Sequence, residues 1–586
     1  MSLKMGLNTH SKLKTHNFKF LTALVSGILM GLTVAPFGAW FLAWLALSPL
    51  WVFVVSNEKS RDNEKSGEQS KVKKGIKSLF LTALGWGIGY YGMSLSWITG
   101  IHPMTWMGVP WLASLAIALF CWSFITLWGT ALAITWVLIC NWIFHSKLIS
   151  SFNSNLNSSL NSSLNSRFHS NFKFKFGFKA QNSPWFRVLV GTSVWCLLEA
   201  IWTSGPLWWS TLAYTQSPQN LVILHLGQIS GTTTITATIV AVNCLLAEAW
   251  IKYARRGNKI TNKPANKTAR NSSVVRTSPA SIYLGSAVLI LVVSHLIGFG
   301  LYNIPLQETA ETQLKVGIIQ GNVPNTIKLT EYGKQRALNN YTNGYLNLVE
   351  QNVDAVLTPE GALPFFKRRI FQSSLVAAVR EKGVLAWIGG FAEQKQGAYT
   401  NSLFTFTGDG TIFSRHDKIK LVPLGEYVPF RNIIGGLVRR LSPLDEHQVP
   451  GKPDQIFETP FGRAIAVICY GSAFPELFRY QASQGGEFIL SPSNDAHFSE
   501  AMPAQHHAQD IMRAIETDRW AVRATNTGYS AFVNPHGKTI WISGHNTYEI
   551  HAENIYRRRS QTLYVRWGDW LTPVLLGLSV LFLVIG

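Results

Sequence analysis

Charge is what this chain of 586 residues has least of. Asp, Glu, Lys and Arg together make up 14% of it, against about 25% in a soluble domain. With 47% apolar residues, 22 Trp and 33 Phe, the shortage excludes an ordinary soluble protein and reads as a membrane-protein composition. Acid is scarcer than base, 31 residues against 52, which leaves a net charge of +21. That excess sits in short loops between apolar spans, a signal of membrane topology, so no nucleic-acid partner is expected. Cysteine is scarce as well. Cys121, Cys140, Cys196 and Cys244 lie inside or at the edge of apolar spans, and Cys469 alone occupies the long polar segment. It has no local disulfide partner and no Cys/His spacing of a zinc site, so no metal is expected. A chain of this length divides into at least two domains.

Residues 1–19 form a cytoplasmic N-terminus with Lys4, Lys12, Lys14 and Lys19 and no acidic residue. No small-residue cleavage site follows, which reads as an uncleaved anchor. Apolar spans are expected at Phe20–Val34, Trp40–Val55, Leu79–Ile98, Val109–Phe144, Phe186–Ser204, Leu221–Trp250 and Ser281–Tyr302, with an eighth at 570–586. The stretch Val109–Phe144 counts as one helix with an interfacial extension. The loops after spans two, four and six are rich in Lys and Arg (Lys59 to Lys77, Lys147 to Lys179, Lys252 to Arg276), whereas those after spans one, three and five have none. The positive-inside rule then puts the even loops, including 145–184 and 252–279, in the cytoplasm. The seven-span domain over 20–304 delivers the segment 312–566 to the outer face. Residues 150–172 are an Asn/Ser low-complexity tract, expected as a disordered loop. Glu199 is an intramembrane carboxylate, either functional or reaching the interface, and Trp208–Tyr214 reads as an outer interfacial belt.

From about 312 to 566 the pattern alternates short β-branched runs with polar helical stretches. Strands are expected at Leu314–Gln320, Ala355–Thr358, Val384–Gly390, Ser402–Thr407, Ala464–Ile468 and Phe488–Ser491, helices near Glu331–Glu350 and Pro503–Arg519, and a hairpin within Val522–Thr539. This is an α/β layered domain. The stretch RAIAVICYGSAFPE (Arg463–Glu476) is a buried strand that stops at Cys469-Tyr470, before the turn formers Gly471 and Ser472. A cysteine there is either a small core residue or a sulfur presented to a cleft. Two further candidates precede it: Glu360, at the end of the strand in LTPEGALPF, and Lys418, in HDKIKLVPLGEYVPF with its embedded Glu426. A carboxylate can take a thiol's proton, and an ammonium can stabilise a tetrahedral oxyanion.

Glu360, Lys418 and Cys469, in that order and each at a strand end or loop, resemble the Glu-Lys-Cys triad of the nitrilase (carbon-nitrogen hydrolase) superfamily. With the membrane spans and the later SNDAHF and RATNTGYSAFVNPHG segments, nearly the whole chain is similar to the apolipoprotein N-acyltransferase family. The resemblance implies an αββα sandwich joined to a polytopic membrane domain of about eight spans, in the bacterial cytoplasmic membrane with its catalytic domain on the outer face. It implies transfer of an acyl chain from a phospholipid, typically phosphatidylethanolamine, to the N-terminal amine of the diacylglyceryl-cysteine of an apolipoprotein. No cofactor is implied, and a monomer is expected. Cys469 would be the nucleophile and thioester carrier, Glu360 the general base and Lys418 the oxyanion stabiliser, with Lys420 as the nearby rival. The Tyr470 backbone N–H would be a second oxyanion donor, and Glu426 would hold the lysine. Two departures stand out: Gly471 replaces the family's usual Glu, leaving Glu476 as the nearest alternative carboxylate, and His497 replaces a Trp. His497, His506 and His507 read as surface or cleft-lining residues. The competing readings are a membrane-tethered amidase using the same triad and a receptor or transporter with a decayed site.

Overall fold

The computed structural model describes residues 3–56, 69–146, 183–261, 279–423, 425–427 and 447–585. The basic segment 57–68, the Asn/Ser tract and the segment 262–278 lie outside the described residues, as does part of the loop after Lys418.

The first half is helical. Four helices are long and apolar enough to cross a membrane: Trp111–His145, Pro184–Ser204, the Thr232–Arg256 part of Thr232–Thr261, and Pro279–Tyr302. Leu289, Leu296 and Phe299 on the last of these point outward and are more than half exposed, a surface suited to lipid rather than water. The Val109–Phe144 stretch is one continuous helix.

Two of the expected spans are interrupted. The Leu221–Trp250 stretch begins as two short helices, Leu221–Leu224 and Gly227–Ser230, and breaks at Gly231 before Thr232–Thr261. Gly231 has φ +66°, and a Cβ there would sit 2.6 Å from the Tyr564 ring, so the left-handed turn needs glycine. The Trp40–Val55 stretch divides into a 3₁₀ turn at Trp40–Trp44 and a helix at Ser48–Ser56. Asn243 makes this break possible: its Oδ1 accepts from the Leu47 and Ser48 amides at 2.9 and 3.0 Å, capping the second helix inside an apolar interior.

The segment after residue 312 is a two-sheet sandwich. Strands β1 (Gln313–Gln320), β2 (Ala355–Leu357), β3 (Leu385–Glu393), β4 (Ala398–Phe406), β5 (Ile412–Asp417) and β6 (His447–Gln448) belong to one sheet. Strands β7 (Phe457–Thr459), β8 (Gly462–Ala466), β9 (Phe488–Ser493), β10 (Ala521–Thr525), β11 (Ala531–Val533) and β12 (Thr539–Ile542) make the other, and β13 (Glu549–Tyr556) returns to pair with β1.

The alternation of side chains builds the layers. Val316, Ile318, Ala355 and Leu357 of one sheet meet Ala464, Ala466, Ile468, Phe488 and Leu490 of the other in a shared inner core. Their neighbours Ile319 and Val356 face outward under the helices Glu331–Val349 and Ser374–Lys382. Ile465, Val467 and Ile489 face the opposite way, under Pro475–Ser483 and Ala501–Thr517. That last layer shares one continuous apolar core with the membrane-type helices.

Gln505 pins this junction. Its Oε1 accepts from the Trp97 and Trp209 indoles at 3.1 and 2.8 Å, and its Nε2 donates to the Ala35 and Ser94 carbonyls at 3.0 and 2.8 Å. All four of its hydrogen-bonding positions are used, which makes a buried amide tolerable here. The Trp208–Tyr214 stretch is therefore not an interfacial belt: Trp208 is 2% exposed and lies beneath the sandwich, where Tyr470 bonds its carbonyl. Glu199 is buried among the helices. It accepts from Trp195 Nε1, Leu212 N and Thr236 Oγ1 at 2.9–3.1 Å, tying helices together.

Candidate active site

Three chain segments place carboxylates and a lysine at the edge between the sheets. Beyond β2, the Thr358 amide bonds the Trp387 carbonyl at 3.0 Å, carrying the chain past β3 to Glu360. Beyond β5, the Lys418 amide donates to the Asn401 carbonyl at 2.8 Å, so Lys418 is held by the neighbouring strand. Its ammonium, 1% exposed, donates to Glu360 Oε1 at 2.7 Å and to Glu426 Oε1 at 2.6 Å. Asn401 Nδ2 adds a donor to Glu360 Oε1 at 2.8 Å, and the Val422 amide donates to Glu426 Oε2 at 2.8 Å. Burial by itself would pull the Lys418 ammonium down, but Glu360 and Glu426 outweigh it and hold it well above the usual lysine range. Burial pushes Glu426 up from the ordinary carboxylate value against the opposing pull of Lys418. Lys420 is elsewhere: its ammonium lies 4.4 Å from the centre of the Phe474 ring, half-buried and away from both carboxylates.

Cys469 follows β8 and opens a tight turn over Cys469–Ala473. Its φ of +50° is left-handed, a region a non-glycine residue enters only when the surroundings impose it. His506 braces the turn, its Nε2 donating to the Cys469 carbonyl at 2.9 Å. His506 Nδ1 faces Asp495 Oδ1 at 3.1 Å, Asp495 Oδ2 meets Arg523 Nη2 at 2.8 Å, and Arg523 Nη1 meets Asp510 at 2.7 Å. Burial works against the charge of Asp495, but His506 and Arg523 hold its carboxyl down at about 2. This chain of charges is buried behind the turn and fixes it from the back. His506 is thus neither a surface nor a cleft residue. His507 is buried too and pairs with Thr539 Oγ1 at 3.0 Å. His497 is exposed, as the surface reading expected, and stacks on Trp106 with ring centres 5.9 Å apart. The thiol of Cys469 is pushed well above its ordinary value, first by burial and further by Glu360, with Lys418 opposing. It rests as a neutral thiol and needs a base.

Tyr470 and Gly471 follow Cys469 directly. The Tyr470 hydroxyl donates within 2.8 Å of the Pro206 and Trp208 carbonyls and so fastens the turn to the helical domain. Gly471 is buried, and a Cβ there would lie 2.4 Å from Val467 Cγ1, so any larger residue must displace that methyl. Glu476 does not substitute for the missing carboxylate: it pairs with Arg479 at 2.8 Å, and its side chain is 65% exposed. Lys328, which the sequence reading passed over, is buried at the site, with Nζ 3.5 Å from the Glu360 carbonyl. Its only sequence signal is a lysine six residues beyond the turn that follows β1.

One metal-type cluster exists among the described residues, formed by Cys469, Asp495 and His506 with donor atoms within 4.8 Å of one another. It does not fit a cation, because Asp495 is committed to Arg523 and His506 Nε2 to the Cys469 carbonyl.

Residues 26–245 match the apolipoprotein N-acyltransferase N-terminal domain, and residues 315–561 match the carbon-nitrogen hydrolase family. An apolipoprotein N-acyltransferase of Nostoc sp. is 57% identical over 94% of this chain and 96% of its own length. The Synechocystis sp. protein of the same name is 46% identical over 94% and 98%. Among solved structures, an amidase from Nesterenkonia sp. AN1 is 16% identical, covering 45% of this chain and 96% of its own, with a TM-score of 0.33. The apolar helices and these relatives mark a membrane-bound bacterial protein. Two matched domains and near full-length identity lead to one conclusion: the chain belongs to the apolipoprotein N-acyltransferase family.

Proposed function

We propose that this protein moves an acyl chain from a membrane phospholipid, with phosphatidylethanolamine as donor, to the N-terminal amine of diacylglyceryl-cysteine in apolipoproteins, the last step of lipoprotein maturation. The observation that carries the reading is one buried ammonium, Lys418, joining Glu360 and Glu426 in the field of a cysteine held in a left-handed turn. Glu360 takes the Cys469 proton as the sulfur attacks the ester carbonyl. Lys418 and the Tyr470 backbone N–H stabilise the oxyanion. The ester C–O bond breaks, the leaving oxygen takes the proton back from Glu360, and lysophospholipid departs from a Cys469 thioester. The α-amine of the acceptor then attacks the thioester, losing its proton to Glu360. The amide forms, and the proton returns to the sulfur.

A lipid donor is supported by the apolar core that the sandwich shares with the long apolar helices. The eight passes are carried by Asn17–Gly31, Trp40–Ser56, Gln69–Ser94, Trp111–His145, Pro184–Ser204, 221–256 with its break at Gly231, Pro279–Tyr302 and Leu571–Leu583. With the basic loops inside, the catalytic domain occupies the outer face of the cytoplasmic membrane, and the protein acts as a monomer.

The test is the intact mass of the detergent-purified protein after incubation with phosphatidylethanolamine, beside Cys469→Ala. A gain of one acyl chain, labile to hydroxylamine and absent from the variant, is the expected result. The absence of both the adduct and lysophospholipid would overturn the reading. A cysteine introduced at Asn155 labels from the cytoplasmic side; labelling from outside would overturn the topology.

A further inference from the structure

Buried cations in the sandwich domain follow a rule with one exception. Lys418 has two carboxylates, Arg523 has Asp495 and Asp510, and Arg513 has Glu516. Arg519 lacks an ion pair but donates to three carbonyls and the Ser560 hydroxyl. Lys328 breaks the rule. It is 8% exposed, ends the short helix Asn325–Lys328, and forms no salt bridge among the described residues. Its one hydrogen bond, to the Glu360 carbonyl, is 3.5 Å long. An ammonium carries three donors, and a buried charge without a counter-ion is strongly disfavoured.

The ammonium is aimed at the reacting centre. It lies 3.6 Å from where a Cβ on Gly361 would stand, and Gly361, at φ +53°, carries none. Burial brings it down to about 8, with the nearby Glu360 carboxylate opposing. Lys418, the other lysine in the site, is already balanced by two carboxylates, so the positive charge left without a counter-charge belongs to Lys328.

We propose that Lys328 forms an anion subsite of the active centre and receives an anionic oxygen of the acyl donor. This rests on the acyl-transfer reading above. Two oxygens of that chemistry pass through the site: the oxyanion that develops on the acyl carbon and the phosphodiester of the lipid. Either supplies the salt-bridge partner that Lys328 lacks among the described residues, so the cation gains one when substrate is bound.

The experiment measures single-turnover acylation of Cys469 by intact mass, with phosphatidylethanolamine in mixed micelles and, separately, with an uncharged p-nitrophenyl ester of the same fatty acid. Lys328→Met is expected to slow acylation about 100-fold, and Lys328→Arg to recover part of it because it keeps the charge. Loss with both donors assigns the subsite to the oxyanion, and loss with the phospholipid alone assigns it to the phosphodiester. Unchanged rates with both donors would overturn the proposal while leaving the acyl-transfer reading intact. Wild-type protein that takes up no acyl chain from phospholipid would instead remove the reading beneath it, and the proposal with it. Thermal melting controls for folding. If Lys328→Met does not fold, Lys328→Gln serves, and full activity in that variant would equally overturn the proposal.

Discussion

Replacing Lys418 with methionine separates the structural from the chemical contribution of one ammonium. In the native site, Glu360 and Glu426 share its Nζ at 2.7 and 2.6 Å, with side chains only 6% and 18% exposed. Without the cation, two buried carboxylates face each other across a methyl group. Breaking a buried ion pair from one side costs about 3–5 kcal/mol, because a charge is left uncompensated. Like charges this close cannot both stay ionised, so one carboxyl takes up a proton. If that carboxyl is Glu360, the base is lost together with the oxyanion donor, whose removal alone costs about 10²–10³ in rate. Lys418→Met is therefore expected to lower unfolding free energy in detergent by about 4 kcal/mol and to cut thioester formation by at least about 1,000-fold. Lys420→Ala removes only an ammonium over Phe474, worth about 0.5–1 kcal/mol, and acylation should stay within about threefold of wild type. The pair Lys418→Met/Glu426→Gln leaves a single buried carboxylate. It should regain much of the stability and little of the turnover, a non-additivity that a double-mutant cycle reads directly. Equal loss of acylation in Lys418→Met and Lys420→Ala would refute the reasoning.

Three further outcomes are expected. Because burial and Glu360 push the Cys469 thiol up, the thiolate fraction grows as pH rises; iodoacetamide labelling of Cys469, followed by peptide mass, should climb steadily through pH 9. A plateau below pH 8 would show a thiolate already formed at rest. His506→Ala frees the Cys469 carbonyl and relaxes a left-handed turn worth about 1–3 kcal/mol of strain. It should lower the acylation rate at saturating donor without raising the KM for phospholipid, and a fall in melting temperature with normal acylation would count against that role. Gly471→Ala pushes a methyl to within 2.4 Å of Val467 Cγ1 and should destabilise by about 1–3 kcal/mol. Adding Val467→Ala should recover most of that loss, and no recovery would place the clash elsewhere.

Local pattern made much of this protein legible. The alternation of Ala464, Ile465, Ala466, Val467 and Ile468 marked a strand buried on both faces, and in the sandwich those residues divide between two cores. The shortage of charge marked the membrane helices, because in hydrocarbon a side chain's polarity alone decides where it can lie. Glu360, Lys418 and Cys469 were legible because each ends a strand, and strand ends gather along one edge of a layered domain.

Other features depended on closure of the fold. Nothing near Cys469 in sequence announces His506, 37 residues on, as the donor to its carbonyl. Adjacent histidines on one helix looked interchangeable until packing buried one behind Cys469 and set the other against Thr539. Gln505 reads as an ordinary helix surface residue, yet it bonds Ala35, 470 positions away. The break at Leu45 was hidden because the stretch stays apolar across it, and hydropathy records burial without recording backbone direction. The break at Gly231 instead falls in a polar, glycine-bearing run, Gln228 to Thr234, inside an apolar span. Lys328 had only its place shortly after β1 to mark it, since a lysine becomes unusual only when burial leaves it without a salt bridge among the described residues. Periodicity along the chain reports which face of an element is apolar. Which buried charge meets which partner, and which is left for a substrate, was decided only when elements hundreds of residues apart came together.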